Sequence, residues 1–117
     1  MDDKDLVIIT WGKICGKHAP KESQRNWIVN NISIKDYGMN LKKINGKNKE
    51  LQSKIICDPK FMEIVELMVR EINGNNYETI SISCDKGKHR SVAIAEILKE
   101  LYYPGAEIIH MGLQKLK

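Results

Sequence analysis

Cysteine, proline and aromatic residues are all scarce in this chain. Its three cysteines, Cys15, Cys57 and Cys84, cannot all pair with one another and show no C-x-x-C spacing. Neither a disulfide framework nor a zinc ribbon is therefore encoded, and a reducing, cytoplasmic setting is expected. Aromatic residues make up 6% of the chain and are not grouped into the stacking platform that single-stranded RNA binders display. No stretch approaches membrane-spanning length, and no apolar run follows a basic segment at the N-terminus, so no membrane association is expected. Repeats, low-complexity tracts and Walker-type loops are absent as well. Cys15 and His18 lack a matching second pair of ligands, so neither a metal nor a cofactor is expected.

What is present is an ordinary globular composition, 42% apolar and 29% charged over 117 residues. That length supports one hydrophobic core, so residues 1–117 are expected to form a single domain. The net charge of +4 is mild. It favours phosphate-bearing partners only where lysines cluster.

The chain is organised around the stretch Ile80 to Ser91 and the apolar run that follows it. Residues Tyr77 to Ser83 alternate β-branched or aromatic with small polar types, and Ser91 to Tyr103 carries apolar residues at helical spacing. The spacing predicts a strand, a tight loop and a helix. Such a junction turns unpaired backbone N–H groups toward one point, where the helix dipole adds partial positive charge. Gly87 has the freedom to curl the loop inward, and Asp85, Lys86, Lys88, His89, Arg90 and Ser91 surround it. Arg90 is expected to grip a phosphate through two parallel hydrogen bonds, with Ser91 capping the helix. The plainer alternative has the lysines as a solvated loop and Arg90 paired with Asp85. Anion binding also requires that the chain's own acidic groups leave the loop open.

Cys84, Gly87, Arg90 and Ser91 together spell Cys-x-x-Gly-x-x-Arg-Ser, which resembles the phosphate loop of cysteine-dependent phosphatases. That resemblance implies Cys84 as nucleophile and Arg90 as phosphate clamp. Ser83 stands where those enzymes usually carry histidine, and only Asp36, Asp58 and Asp85 are candidate acids by type. A small buried residue ending a strand is the competing role for Cys84.

A longer match runs over about residues 6 to 113. Cys84 to Val92, with Ile94-Ala95-Glu96 and Leu98, is similar to the Gly-Lys-His-Arg-Ser-Val segment of the C-terminal domain of the RapZ (RNase adapter protein) family. Leu41 to Gly46 is similar to that family's Leu-Arg-x-x-Thr-Gly stretch, and Trp11-Gly12-Lys13 with Gly16 to its Phe-Gly-Phe-Lys-x-Gly opening. The chain departs at Val29-Asn30-Asn31, where the family has Asp-Val-Arg, and at His110-Met111, where it has His-Arg. The resemblance implies an α/β domain that binds phosphorylated ligands, reported for the family as RNA and an amino-sugar phosphate. Leu41 to Lys49, with Lys42, Lys43 and Lys47, is either a solvated loop or, as the resemblance implies, an extra arm of the anion site.

In chain order, Leu6 to Trp11 reads as an internal strand followed by a glycine-containing basic loop with Lys13, Lys17 and His18. If that strand runs parallel to Tyr77–Ser83, both loops emerge at one sheet edge, so these three residues are secondary site candidates. Trp27 to Ile34 reads as a second strand. Lys49 to Cys57 is a short helix with Leu51, Ile55 and Ile56 inward, and Asp58-Pro59 starts a longer one carrying Phe61, Ile64, Val65, Met68, Val69 and Ile72 on one side. Asn73 to Asn76 ends it. Ala106 to His110 is a last strand, and His110 is a further secondary candidate.

The fold class expected is α/β, with a small, mostly parallel or mixed sheet and helices on both faces. The function expected first is a binding module for a phosphorylated small molecule or RNA. A cysteine phosphatase ranks second.

Overall fold

Apolar residues set two and three to four apart divide the chain into strands and helices much as that pattern requires. The computed structural model describes residues 5–14 and 18–113. Four strands, β1 (Val7–Gly12), β2 (Asn26–Ile28), β3 (Thr79–Cys84) and β4 (Glu107–His110), form one sheet in the order β2-β3-β1-β4. Every pairing is parallel, with Thr10 opposite Ile82 and His110, and Gly12 opposite Cys84. The helices are α1 (Lys49–Ile56), α2 (Pro59–Asn75) and α3 (Arg90–Leu101). The Cα radius of gyration is 13.4 Å.

The helix boundaries follow from their caps. The Asp58 carboxylate accepts the Lys60 N–H at 2.9 Å, and Pro59 occupies the first position, where a missing N–H costs nothing. At the other end Asn76 takes the left-handed conformation, φ 55°. Asn48 caps α1 in the same way, accepting from the Leu51 N–H at 2.9 Å.

The α/β class and the parallel sheet agree with expectation, but the helices lie on one face of it. The steps from β2 to β3 and from β3 to β4 run in the same direction across the sheet, and right-handed crossovers then put α1, α2 and α3 on the same side. The apolar core records this. Ile8, Ile80, Ile82, Cys84 and Trp27 of the sheet join Leu51 and Ile55 of α1, Phe61, Val65, Met68 and Ile72 of α2, and Ala93, Ile94, Ile97 and Leu98 of α3. Truncating a residue such as Phe61 there costs about 3–5 kcal/mol.

The opposite face carries a buried polar chain. Trp11 Nε1 and Ser81 Oγ both donate to Asn26 Oδ1, at 2.9 and 2.7 Å, and Asn26 Nδ2 donates to Ser83 Oγ at 3.3 Å. Ser23, on the connection into β2, reaches Ser81 Oγ at 2.7 Å. This explains why strand β3 alternates isoleucine with serine while all of its residues from Ile80 onward are buried.

Two boundaries differ from the sequence pattern. Strand β2 stops at Ile28, although Val29 N–H still reaches the Ser83 carbonyl at 2.9 Å. Beyond it the chain leaves the sheet, because Arg90 draws the carbonyls of Asn30 and Ile32 toward α3. Ile56, expected inward, is exposed at the end of α1. No helix among the described residues is long and apolar enough to cross a membrane.

Candidate functional site

Parallel strands deliver their C-terminal ends to one edge, and three backbones converge there. Lys13 N–H reaches the Cys84 carbonyl at 3.1 Å and Ile14 N–H the Asp85 carbonyl at 2.9 Å, so the chain after β1 runs under the loop Asp85–His89. Gly87 has φ +70°, and a Cβ on it would overlap the Gly12 backbone. Only glycine meets both demands. Gly46 makes a second close approach, its N–H 2.7 Å from the Lys88 carbonyl, and a Cβ on it would strike the first turn of α3. Gln52, buried in α1, fixes that approach by donating to the Gly46 carbonyl at 2.7 Å.

Between these segments lies a cleft of about 560 Å³. Its walls are Asn30, Ser33, Ile34 and Lys35 on one side, Leu41, Lys42 and Ile44 on another, and Lys86, Lys88, His89 and Arg90 beneath. Lys35, Lys42, Lys86 and Lys88 are all exposed, and no Asp or Glu is among the lining residues described. A smaller recess of about 130 Å³ adjoins it over the loop, where Cys84 and Asp85 join the lining. Among the described residues, no backbone carbonyl takes the N–H groups of Lys86, Gly87, Lys88 or His89.

His89 and Arg90 do something other than the sequence led one to expect. His89 Nε2 lies 2.6 Å from the Leu41 carbonyl and 2.8 Å from that of Ile44, so it donates to the strap that forms the cleft's second wall. Arg90 Nη1 donates to the carbonyls of Asn30 at 3.0 Å and Ile32 at 3.2 Å. Its Nη2 stands 3.7 Å from Asp85 Oδ2, and Asp85 Oδ1 accepts from Asn30 Nδ2 at 3.0 Å. The two-pronged phosphate grip expected of Arg90 is thus spent on main-chain carbonyls. Arg90 and His89 build the walls, and Lys86 and Lys88 supply the free charge.

Ser91 does not cap α3. It sits inside the first turn, fully buried, with Oγ 3.2 Å from Cys84 Sγ, which also accepts the Ser91 N–H at 3.5 Å. Cys84 is 2% exposed. Of the candidate acids, Asp58 is occupied as the cap of α2 and as acceptor of the Tyr37 hydroxyl at 3.1 Å, while Asp36 is exposed.

The secondary candidates are not gathered into the cleft. Lys13 and His18 are exposed outside its lining, and Lys17 lies outside the described residues. His110 is tied off, with Nδ1 2.7 Å from Thr10 Oγ1 and Nε2 2.7 Å from Glu96 Oε2, which fastens β4 to β1 and α3. Asn30, Ser33 and Lys35 line the cleft without having been singled out in the sequence. As residue types they are ordinary loop residues, and only the gap at Val29-Asn30-Asn31 relative to the RapZ pattern pointed to that segment. Lys42, which also lines the cleft, lies in the stretch Leu41 to Gly46 that the similarity singled out.

Comparison with known proteins covers this same region. The RapZ C-terminal domain family matches residues 29–111, which includes every wall of the cleft. A nucleotide-binding protein of Paramagnetospirillum magneticum is 29% identical over 90 residues, covering 69% of this chain and 29% of its own length. Nucleotide-binding proteins of Desulforapulum autotrophicum and Pelobacter propionicus are 32% and 33% identical over 87 residues, each covering 64% of this chain and 30% of their own. The chain spans less than a third of the length of these relatives.

Proposed function

Because the chain belongs to the RapZ C-terminal domain family, we propose that it is a recognition module for a phosphorylated ligand, held in the cleft above the loop Asp85–His89. The observation that carries this reading is the charge of the walls. Four exposed lysines, Lys35, Lys42, Lys86 and Lys88, line the cleft, and among the described residues no backbone carbonyl takes the N–H groups of the loop beneath it. Such a concentration of donors with no opposing carboxylate in the larger cleft suits a phosphoryl group. The volume lies within the roughly 300–1,000 Å³ of small-molecule sites, and Ile34, Leu41 and Ile44 offer an apolar wall to the rest of the guest. A nucleotide or a phosphosugar fits that description, and the names of the relatives favour the nucleotide.

RNA is the larger form of the same chemistry. It would lay successive phosphates along Lys42, Lys43, Lys47 and the loop lysines, and its affinity would fall steeply with added salt. Calorimetric titration with a nucleoside monophosphate and with its unphosphorylated nucleoside tests the reading. Heat from the first alone supports it, and equal heats, or none, count against it.

The second reading, a phosphatase using Cys84, draws on one observation, the Ser91 N–H donated to Cys84 Sγ with the Ser91 hydroxyl 3.2 Å from the same sulfur. Against it stand the burial of that sulfur and the engagement of Arg90 with two carbonyls. Release of phosphate from an aryl phosphate, abolished in Cys84→Ser, would reverse the ranking.

A further inference from the structure

Among the described residues Asp85 is the one acidic side chain lining the recess over the loop, and its carboxylate is held from two sides. Asn30 Nδ2 donates to Asp85 Oδ1 at 3.0 Å, Asp85 Oδ2 faces Arg90 Nη2 at 3.7 Å, and Arg90 Nη1 returns to the Asn30 carbonyl at 3.0 Å. The three residues close a ring. Asn30 Oδ1 is buried without a hydrogen-bond partner, so the amide gives up one bond in order to present Nδ2 to the carboxylate. Reversing the amide would set oxygen against oxygen.

The Asp85 side chain is 57% exposed, so an entering oxyanion meets it. It offsets the one face of Arg90 not already turned to carbonyls, and it puts a fixed negative charge beside the loop amides. Like charges at such range repel in proportion to their product. Asp85 therefore repels a dianion about twice as strongly as a monoanion, which offsets part of the doubled attraction that Lys86 and Lys88 exert on it.

We propose that Asp85 is a specificity-determining residue that limits what the site gains from an oxyanion's second charge, so that a phosphomonoester and a phosphodiester are held more nearly alike. This deepens the proposed function and rests on the loop being an anion site. The chain itself supplies the counter-charge, at a position where a neutral side chain would leave the site more strongly cationic.

The test compares the whole chain with Asp85→Asn, which keeps an acceptor for Asn30 and removes the charge. Each is titrated with sulfate and with dimethyl phosphate, following the backbone amide resonances of Gly87 and Lys88. The expected result is that sulfate tightens by about tenfold in the variant while dimethyl phosphate tightens by less than about threefold. Equal tightening of both probes, or none, overturns the charge gate. If the native chain still responds to sulfate in that case, the anion reading stands without the gate. Resonances that move with neither probe in either protein overturn both.

Discussion

His89 Nε2 stands within hydrogen-bond reach of the Leu41 and Ile44 carbonyls, 45 or more residues earlier in the chain, and so pins the strap over the cleft to the start of α3. A residue that reads as a ligand contact is a strut. His89→Ala should release the strap, destabilising the chain by about 1–2 kcal/mol through two unpaired carbonyls. Amide exchange at residues 41–46 should rise well above that of the core, whereas unchanged protection there would contradict the strut.

Gly87 tests the loop itself. Its positive φ and its contact with the Gly12 backbone both exclude a side chain, so Gly87→Ala should cost about 1–3 kcal/mol, toward the upper end because strain and overlap act together. Urea unfolding measures it. Gly38 also has positive φ but open space around it, so Gly38→Ala should cost less.

The side chains of Lys86 and Lys88 make no hydrogen bond or ion pair among the described residues. Replacing both with alanine should leave stability within about 0.5 kcal/mol of the native value. Ligand affinity should nonetheless fall, and if the ligand is RNA the dependence of affinity on salt should become shallower. An unfolded double variant would show that these lysines serve the fold instead.

Tyr37 gives a prediction in alkali. Burial first, then the hydrogen bond to Asp58 and the charge of that carboxylate, push the phenol from 10.0 up to about 12. The folded value is raised, so the neutral phenol contributes stability that is fully present below pH 10 and is lost as pH rises toward 12. Stability measured across that interval should fall in the native chain and fall less in Tyr37→Phe.

Much of the fold was legible because it rests on local rules. Asp58-Pro59 marked the start of α2, the run Asn73 to Asn76 its end, and the alternation from Tyr77 to Ser83 a strand, observed as Thr79–Cys84. The placement of helices was not legible, since it depends on strand order, and the order β2-β3-β1-β4 follows from pairings far apart in sequence. The loop from Asp85 to Ser91 was recognisable as a junction. What its side chains touch was not, because the partners of His89 and Arg90 are main-chain carbonyls, which every residue carries and no sequence pattern marks. Asn30 and Lys35 escaped notice for a related reason. Their role comes from Arg90 bending the chain away from the sheet after Val29, an event set by a residue sixty positions later.

The central claim is that the loop amides and Lys86 and Lys88 hold a phosphoryl group. Crystals soaked in phosphate test it most directly. The account predicts tetrahedral density against the backbone nitrogens of Gly87 to Arg90 with a lysine from the loop beside it. Phosphate bound elsewhere with this recess empty, or filled by the Asp85 carboxylate, would contradict it.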